Sequence, residues 1–149
     1  MKRTAFFWAT ALSLLFFGPF AYADSKGPPC VVDAFLHAHE KTMQREADES
    51  TVDELISLVD ENMVYEHPKV GIRIEGSGSY RQGLEAFLGA TDLGRYEVLD
   101  YLVNGNTVAI SMNRIFSVKT DEEWQERSIE QLMVFEVRDG KITRLIDYW

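Results

Sequence analysis

Residues 107–149 read TVAISMNRIFSVKTDEEWQERSIEQLMVFEVRDGKITRLIDYW, and the fold is decided there. Strand side chains alternate between two faces, and the alternation predicts three successive strands. In the first, Val108, Ile110, Met112, Phe116 and Val118 share a face, with Arg114 among them. In the second, Ile129, Gln131, Met133, Phe135 and Val137 share a face. After a turn at Arg138-Asp139-Gly140, the third ends with Leu145, Asp147 and Trp149 on one side. An arginine aimed into an apolar layer needs a carboxylate partner, because a buried unpaired charge is costly. Asp147 is the expected partner, or Glu130 if the faces of the second strand are exchanged. Together these positions predict a lined pocket. Met112, Phe116, Met133 and Trp149 form its walls, and Arg114, Gln131 and Asp147 its few polar groups.

Upstream, Tyr96 to Val103 reads as a further strand, joined to the long one by a tight turn at Asn104-Gly105-Asn106. A polar loop, Thr120 to Glu126, is expected to lead into the last hairpin. Nearer the N-terminus the period changes. Val32, Phe35, Leu36, His39 and Met43 recur at spacings of three and four, which predicts a helix from Pro28-Pro29 to about Glu49. His39 falls on its inward stripe and His37 does not, so the two cannot converge on a metal. Ser50, with Asp53 three residues on, predicts the cap of a second helix whose apolar face is Leu55, Ile56, Leu58 and Val59. Met63 to His67 reads as a strand stopped by Pro68, with Tyr65 and His67 on one face and Val64 and Glu66 on the other. Gly71 to Ser79 reads as a turn region, because it lacks the lysine and spacing of a phosphate loop. A third helix is expected near Tyr80 to Leu88. Helices first and a meandering antiparallel sheet afterwards make an α+β domain, with helices packed on a strongly curved sheet around a conical cavity.

The first residues bound the setting. Met1-Lys2-Arg3, the apolar run from Ala5 to Phe17 and Ala21-Tyr22-Ala23 match a secretory signal peptide over residues 1–23. The run is short for a bilayer span, which needs about 20 residues. A retained anchor is the alternative to cleavage. Residues 24–29 form a flexible lead-in, and residues 30–149 the domain. Cleavage leaves 126 residues with 13 basic and 24 acidic side chains, a net charge of −11. That balance argues against nucleic acid and against stable membrane association after cleavage. The chain is expected to be exported, periplasmic or secreted. The one cysteine, Cys30, is either a free thiol or an intermolecular link. No histidine or cysteine cluster and no calcium-loop spacing points to a metal, and no cofactor is implied.

Several local motifs carry a resemblance: Tyr65-Glu66-His67-Pro68, the glycine-rich start of a helix at Gly76 to Leu88, Val134-Phe135-Glu136-Val137 with Asp139-Gly140-Lys141-Ile142, and the ending Asp147-Tyr148-Trp149. With the order of elements, they make the chain from about Val31 to Trp149 similar to the nuclear transport factor-like superfamily, in particular its SnoaL-like branch. The resemblance implies a cystatin-like α+β roll and a homodimer formed through the outer sheet face. The superfamily includes ketosteroid isomerases, polyketide cyclases, scytalone dehydratase and limonene epoxide hydrolase, as well as non-catalytic members, so the fold alone assigns no reaction.

Carried over by position, His67 stands where the isomerases place a general-base aspartate. Tyr65 and His67 stand where the epoxide hydrolases hold a water, and Arg114 and Asp147 match an arginine and a carboxylate there. The hydrolases' second carboxylate, two residues after the arginine, is here Phe116. The resemblance therefore implies His67, Asp147 and Tyr65 as catalytic residues, and Arg114, Gln131, Met112, Phe116, Met133 and Trp149 as residues binding a small lipophilic molecule. Gln131 is placed to donate to a developing oxyanion. The other reading is a non-catalytic binding or dimeric module in which Arg114–Asp147 is a structural pair.

Overall fold

The computed structural model describes residues 27–121 and 123–149. The expected signal peptide and most of the lead-in lie outside them. Helix α1 (Pro28–Thr42) has proline at its first positions, where a missing N–H costs no helical hydrogen bond. It buries Val32, Phe35 and Leu36. It ends seven residues earlier than expected, where the Met43 N–H turns back to the Glu40 carbonyl and the Gln44 N–H to that of Lys41. Helix α2 (Glu49–Ile56) is capped by Asp48, not Ser50. The Asp48 carboxylate accepts from the Ser50 and Thr51 N–H groups, and the Ser50 hydroxyl donates to it as well.

Strand β1 (Val59–His67) stops at Pro68, and a 3₁₀ turn, Pro68–Val70, follows. Strand β2 (Ile72–Glu75) lies in what reads as a turn region, and pairs antiparallel with β1 through Val64↔Glu75 and His67↔Ile72. Helix α3 (Ser77–Glu85) begins three residues earlier than expected. Its buried anchor is Tyr80, while Phe87, expected on its apolar face, lies beyond its end and is exposed.

The remaining strands are β3 (Thr91–Asn104), β4 (Thr107–Lys119), β5 (Trp124–Arg138) and β6 (Lys141–Tyr148). They zigzag antiparallel through two-residue loops at Gly105-Asn106 and Asp139-Gly140, and a longer one between β4 and β5. Asp139 and Gly140 both have positive φ (51° and 73°), the signature of a type I′ turn, which matches the strand twist. The sheet order is β2-β1-β6-β5-β4-β3, and β1 runs parallel to β6. The sheet is therefore mixed: α3 separates β1–β2 from the meander, and the last strand returns alongside β1. Bulges in β3 between Asp92 and Arg95 and between Val98 and Asp100 bend that edge.

The three helices lie with this curled sheet in an α+β roll. The core sits on its concave face, where Phe35 of α1 meets Phe135 of β5 edge-on at 5.5 Å and both are fully buried. Removing either ring would cost about 3–5 kcal/mol. The alternation reading holds along β4 and β5, since Val108, Ile110, Met112, Gln131, Met133, Phe135 and Val137 are all buried. At the far end of β4 both faces are covered, and Ile115, Phe116 and Ser117 are buried in succession.

Candidate functional site

β1, β5 and β6 bring four groups together. Asp147, on β6, is 3% exposed and is the acceptor at the centre. Its Oδ1 accepts from Gln131 Nε2 at 2.6 Å, and its Oδ2 from the Tyr65 hydroxyl at 3.3 Å and from Trp149 Nε1 at 3.1 Å. The parallel pairing of β1 with β6 makes this possible, since it sets Tyr65 directly beside Leu145. Burial raises the Asp147 carboxyl above its ordinary value. The Gln131 hydrogen bond and the nearby Arg114 and His67 oppose that shift only in part. Burial and the Asp147 charge together raise the Tyr65 phenol, which therefore stays protonated and donating.

His67 lies on the same face of β1 as Tyr65 and is 2% exposed. Its ring centroid is 4.6 Å from that of Trp149, yet neither imidazole nitrogen has a hydrogen-bond partner. Gln131 is equally buried and leaves its Oε1 without a partner. Buried polar atoms in folded proteins are overwhelmingly paired. A donor, an acceptor and an amide oxygen are thus left over on one concave face.

Arg114 occupies the expected face of β4 but not the expected ion pair. No carboxylate oxygen of any described residue lies within 4.0 Å of it. Its Nε is buried without a partner, and its guanidinium lies 4.8 Å above the Phe116 ring. The register explains the correction. Arg114 stands opposite Ile129 on β5, whereas Asp147 stands opposite Met133, four residues further along that strand. Glu130, the other candidate partner, pairs with Asn113 on the opposite face and is exposed.

Three further residues belong to this surface. Tyr96 on β3 pairs across the strands with Arg114, and its hydroxyl is 2.9 Å from Nδ1 of His39 on α1. Burial, with Arg114 nearby, lowers the His39 imidazole from 6.5 to about 3, so it is neutral at physiological pH. Tyr80 stacks against Tyr65 at 5.4 Å between centroids, and burial raises its phenol well above the usual range. The site is thus a neutral, aromatic-rich surface with one carboxyl, one cation and an unpartnered imidazole. Met112, Phe116 and Met133 are buried around it, and the Trp149 indole closes over His67 while remaining 41% exposed. Among the described residues, no group of three or more histidine, cysteine, aspartate or glutamate side chains could hold a metal ion.

Solved structures with this fold include an LEH-like epoxide hydrolase from M. tuberculosis. The two are 24% identical with a TM-score of 0.62, over 79% of this chain and 78% of that one. A protein with a ketosteroid isomerase-like fold from Catenulispora acidiphila, in complex with trimethylamine, matches at 16% identity and a TM-score of 0.65, over 81% and 85%. A protein assigned as a SnoaL-like polyketide cyclase from Shewanella denitrificans gives a TM-score of 0.69 at 10% identity, over 81% and 88%. At these identities the likeness is one of fold. No curated protein matches the sequence. The SnoaL-like domain family, however, matches residues 40–145, from the last turns of α1 to the strand that carries Asp147. With its helices on a curled six-stranded sheet, this chain belongs to the SnoaL-like domain family, in the nuclear transport factor-like fold shared by cyclases, isomerases and epoxide hydrolases.

Proposed function

We propose that this chain is an exported SnoaL-like domain whose concave face takes a small, largely apolar molecule and performs acid–base chemistry on it, with His67 as the base. The observation that carries the reading is the set of buried polar atoms without partners: both nitrogens of His67, Oε1 of Gln131 and Nε of Arg114. A neutral imidazole offers one donor and one acceptor, and it is the most common general base among side chains. Asp147, held by Tyr65, Gln131 and Trp149, supplies fixed negative charge beside the imidazolium that would form. The second amide hydrogen of Gln131 is the donor available to a substrate oxygen that gains charge, since the Tyr65 hydroxyl gives its one hydrogen to Asp147. Phe116, in place of a second carboxylate, favours isomerisation or cyclisation through proton abstraction over acid-assisted epoxide opening.

The test is native mass spectrometry of the protein purified from its export compartment, followed by extraction of any retained small molecule. A stoichiometric ligand supplies the substrate class, and the His67→Ala variant should then lose turnover by about 10²–10⁴-fold. Unchanged turnover in that variant would end the assignment of His67.

A second reading is favoured by the opposite face of the sheet, where Leu102, Leu132 and Tyr148 are 69%, 41% and 42% exposed. On this reading the chain is a homodimeric module that pairs through that face. A monomeric mass in dilute solution by light scattering would count against it.

A further inference from the structure

We infer that the molecule taken by the concave face is a small organic anion, a carboxylate or sulfonate on an apolar body, and that Arg114 receives its charged group. This rests on the reading of that face as a ligand site and names the ligand class for it.

The chain carries far more acidic than basic side chains, 24 against 15, so an arginine has carboxylates in abundance. Of the seven other arginines among the described residues, Arg45, Arg73, Arg81, Arg95 and Arg144 each form an ion pair with one, and the two that do not, Arg127 and Arg138, are exposed. Arg114 is more deeply placed than most, faces the concave side, and has no such pair among the described residues. Its Nε is sealed from solvent and has no hydrogen-bond partner among the described residues.

The local backbone keeps acids away from it. Counted back from the Gly105-Asn106 turn in unbroken register, Glu97 would stand opposite Arg114. The bulge between Val98 and Asp100 slips the pairing by one residue, so that Tyr96 faces Arg114 and Glu97 pairs with Asn113. A one-residue slip exchanges the faces of a strand, and Glu97 is exposed. Two positions beyond Arg114 on its own face stands Phe116, a flat apolar support. Asp147 is engaged by three donors. Its opposite residue on β5, Met133, is four positions from that of Arg114, about 13 Å along the strand direction.

Arg114 therefore stands with its guanidinium over the Phe116 ring and no carboxylate partner among the described residues, on the same surface as Asp147 and His67. The planar guanidinium fork matches a carboxylate or sulfonate through paired hydrogen bonds. The ligand so defined has its anion at Arg114, an apolar body along Met112 and Phe116, and its reacting or neutral polar group at His67. A neutral lipophile would leave the guanidinium desolvated and unpaired in the complex, which is the costly arrangement.

Two fluorescent probes share one body and differ by one sulfonate: 8-anilino-1-naphthalenesulfonate and N-phenyl-1-naphthylamine. Titrated into the full mature protein, the sulfonate should bind more tightly by on the order of tenfold or more, and benzoate should displace it. Arg114→Met should bring the two probes to parity. Arg114→Lys keeps the charge without the fork, and should give an intermediate preference. Far-UV circular dichroism checks the fold of each variant, and if Arg114→Met does not fold, the Arg114→Lys variant and the wild-type comparison decide. Equal affinity of both probes for the wild type, or a preference that survives intact in Arg114→Met, overturns the inference and leaves the ligand site standing. Failure of either probe to bind in competition with the other removes the ligand-site reading itself.

Discussion

Replacing His67 by leucine should make the protein more stable. The imidazole is 2% exposed with two unpartnered nitrogens, and a buried polar group left unsatisfied costs about 1–3 kcal/mol. Its ring contact with Trp149 at 4.6 Å returns about 0.5–1.5 kcal/mol. Leucine has a similar volume, keeps the site filled and removes both nitrogens, each at that cost, for a net gain of roughly 1–5 kcal/mol. In a domain of this size that raises the melting temperature by roughly 3 °C or more. His67→Ala removes the nitrogens too but opens a cavity, and it should fall below His67→Leu by about 2 kcal/mol or more. Thermal unfolding of the ligand-free protein, followed by circular dichroism, measures all three on one scale. If His67→Leu melts below wild type, the nitrogens are satisfied in the folded protein and the histidine is an ordinary core residue. The reasoning for a ligand site at His67 would then fail.

Asp147 predicts a pH dependence of known sign. Its carboxyl is raised in the folded state by burial, so the folded protein binds the proton more tightly than the unfolded chain does. Its contribution is full below the unfolded value of about 3.8 and is lost as pH rises through the folded one. Asp147→Asn should therefore gain stability relative to wild type between pH 4 and pH 7 in paired urea titrations, and a constant difference would refute this. Gly94 lies so close to α1 that an added Cβ would sit 2.2 Å from Met43 Cβ; Gly94→Ala should cost about 1–3 kcal/mol in chemical denaturation. Gly83, within α3 with open space around it, gives the opposite sign, and Gly83→Ala should add about 0.4–1 kcal/mol. Phe116→Asp would place a carboxylate on the Arg114 face two residues away, and should abolish the preference for the sulfonate probe over its neutral analogue.

Much of the sheet was legible because one face of each central strand is dry. Val108, Ile110 and Met112 on β4, and Met133, Phe135 and Val137 on β5, alternate strictly, and burial follows that alternation. Turn chemistry at Asp139-Gly140 fixed the last hairpin in the same way. β2 was not legible: it is four residues long between glycines, and Ile72 is 46% exposed, so there is no periodic burial to read. The cap of α2 was misplaced by two residues because Asp48, Ser50 and Asp53 are all good capping types, and only the geometry chooses among them. The parallel pairing of β1 with β6 joins residues some 80 positions apart. It leaves no local trace, although it brings Tyr65 to Asp147.

The same limit governs the site. Faces can be read from period two, so Tyr65, His67, Arg114, Gln131 and Asp147 were all found as inward residues, but which of them touch depends on register across several strands. The expected Arg114–Asp147 pair required them to be neighbours, and the strand pairings place them at different heights. Tyr96 was hidden by a bulge: counting from the turn sets Glu97 opposite Arg114, and one slipped residue exchanges a carboxylate for a phenol. Bulges recur next to functional sites because they re-aim side chains, and here the consequence is chemical. With Glu97 in that place, Arg114 would be neutralised within the fold, and Phe116 would only pack. With Tyr96 there, Arg114 keeps no carboxylate partner among the described residues. On the proposed reading the ligand meets that charge, and the cation and the unpartnered imidazole belong to one arrangement, in which β3 and β4 hold the anion-binding group and β1, β5 and β6 hold the groups proposed for proton transfer.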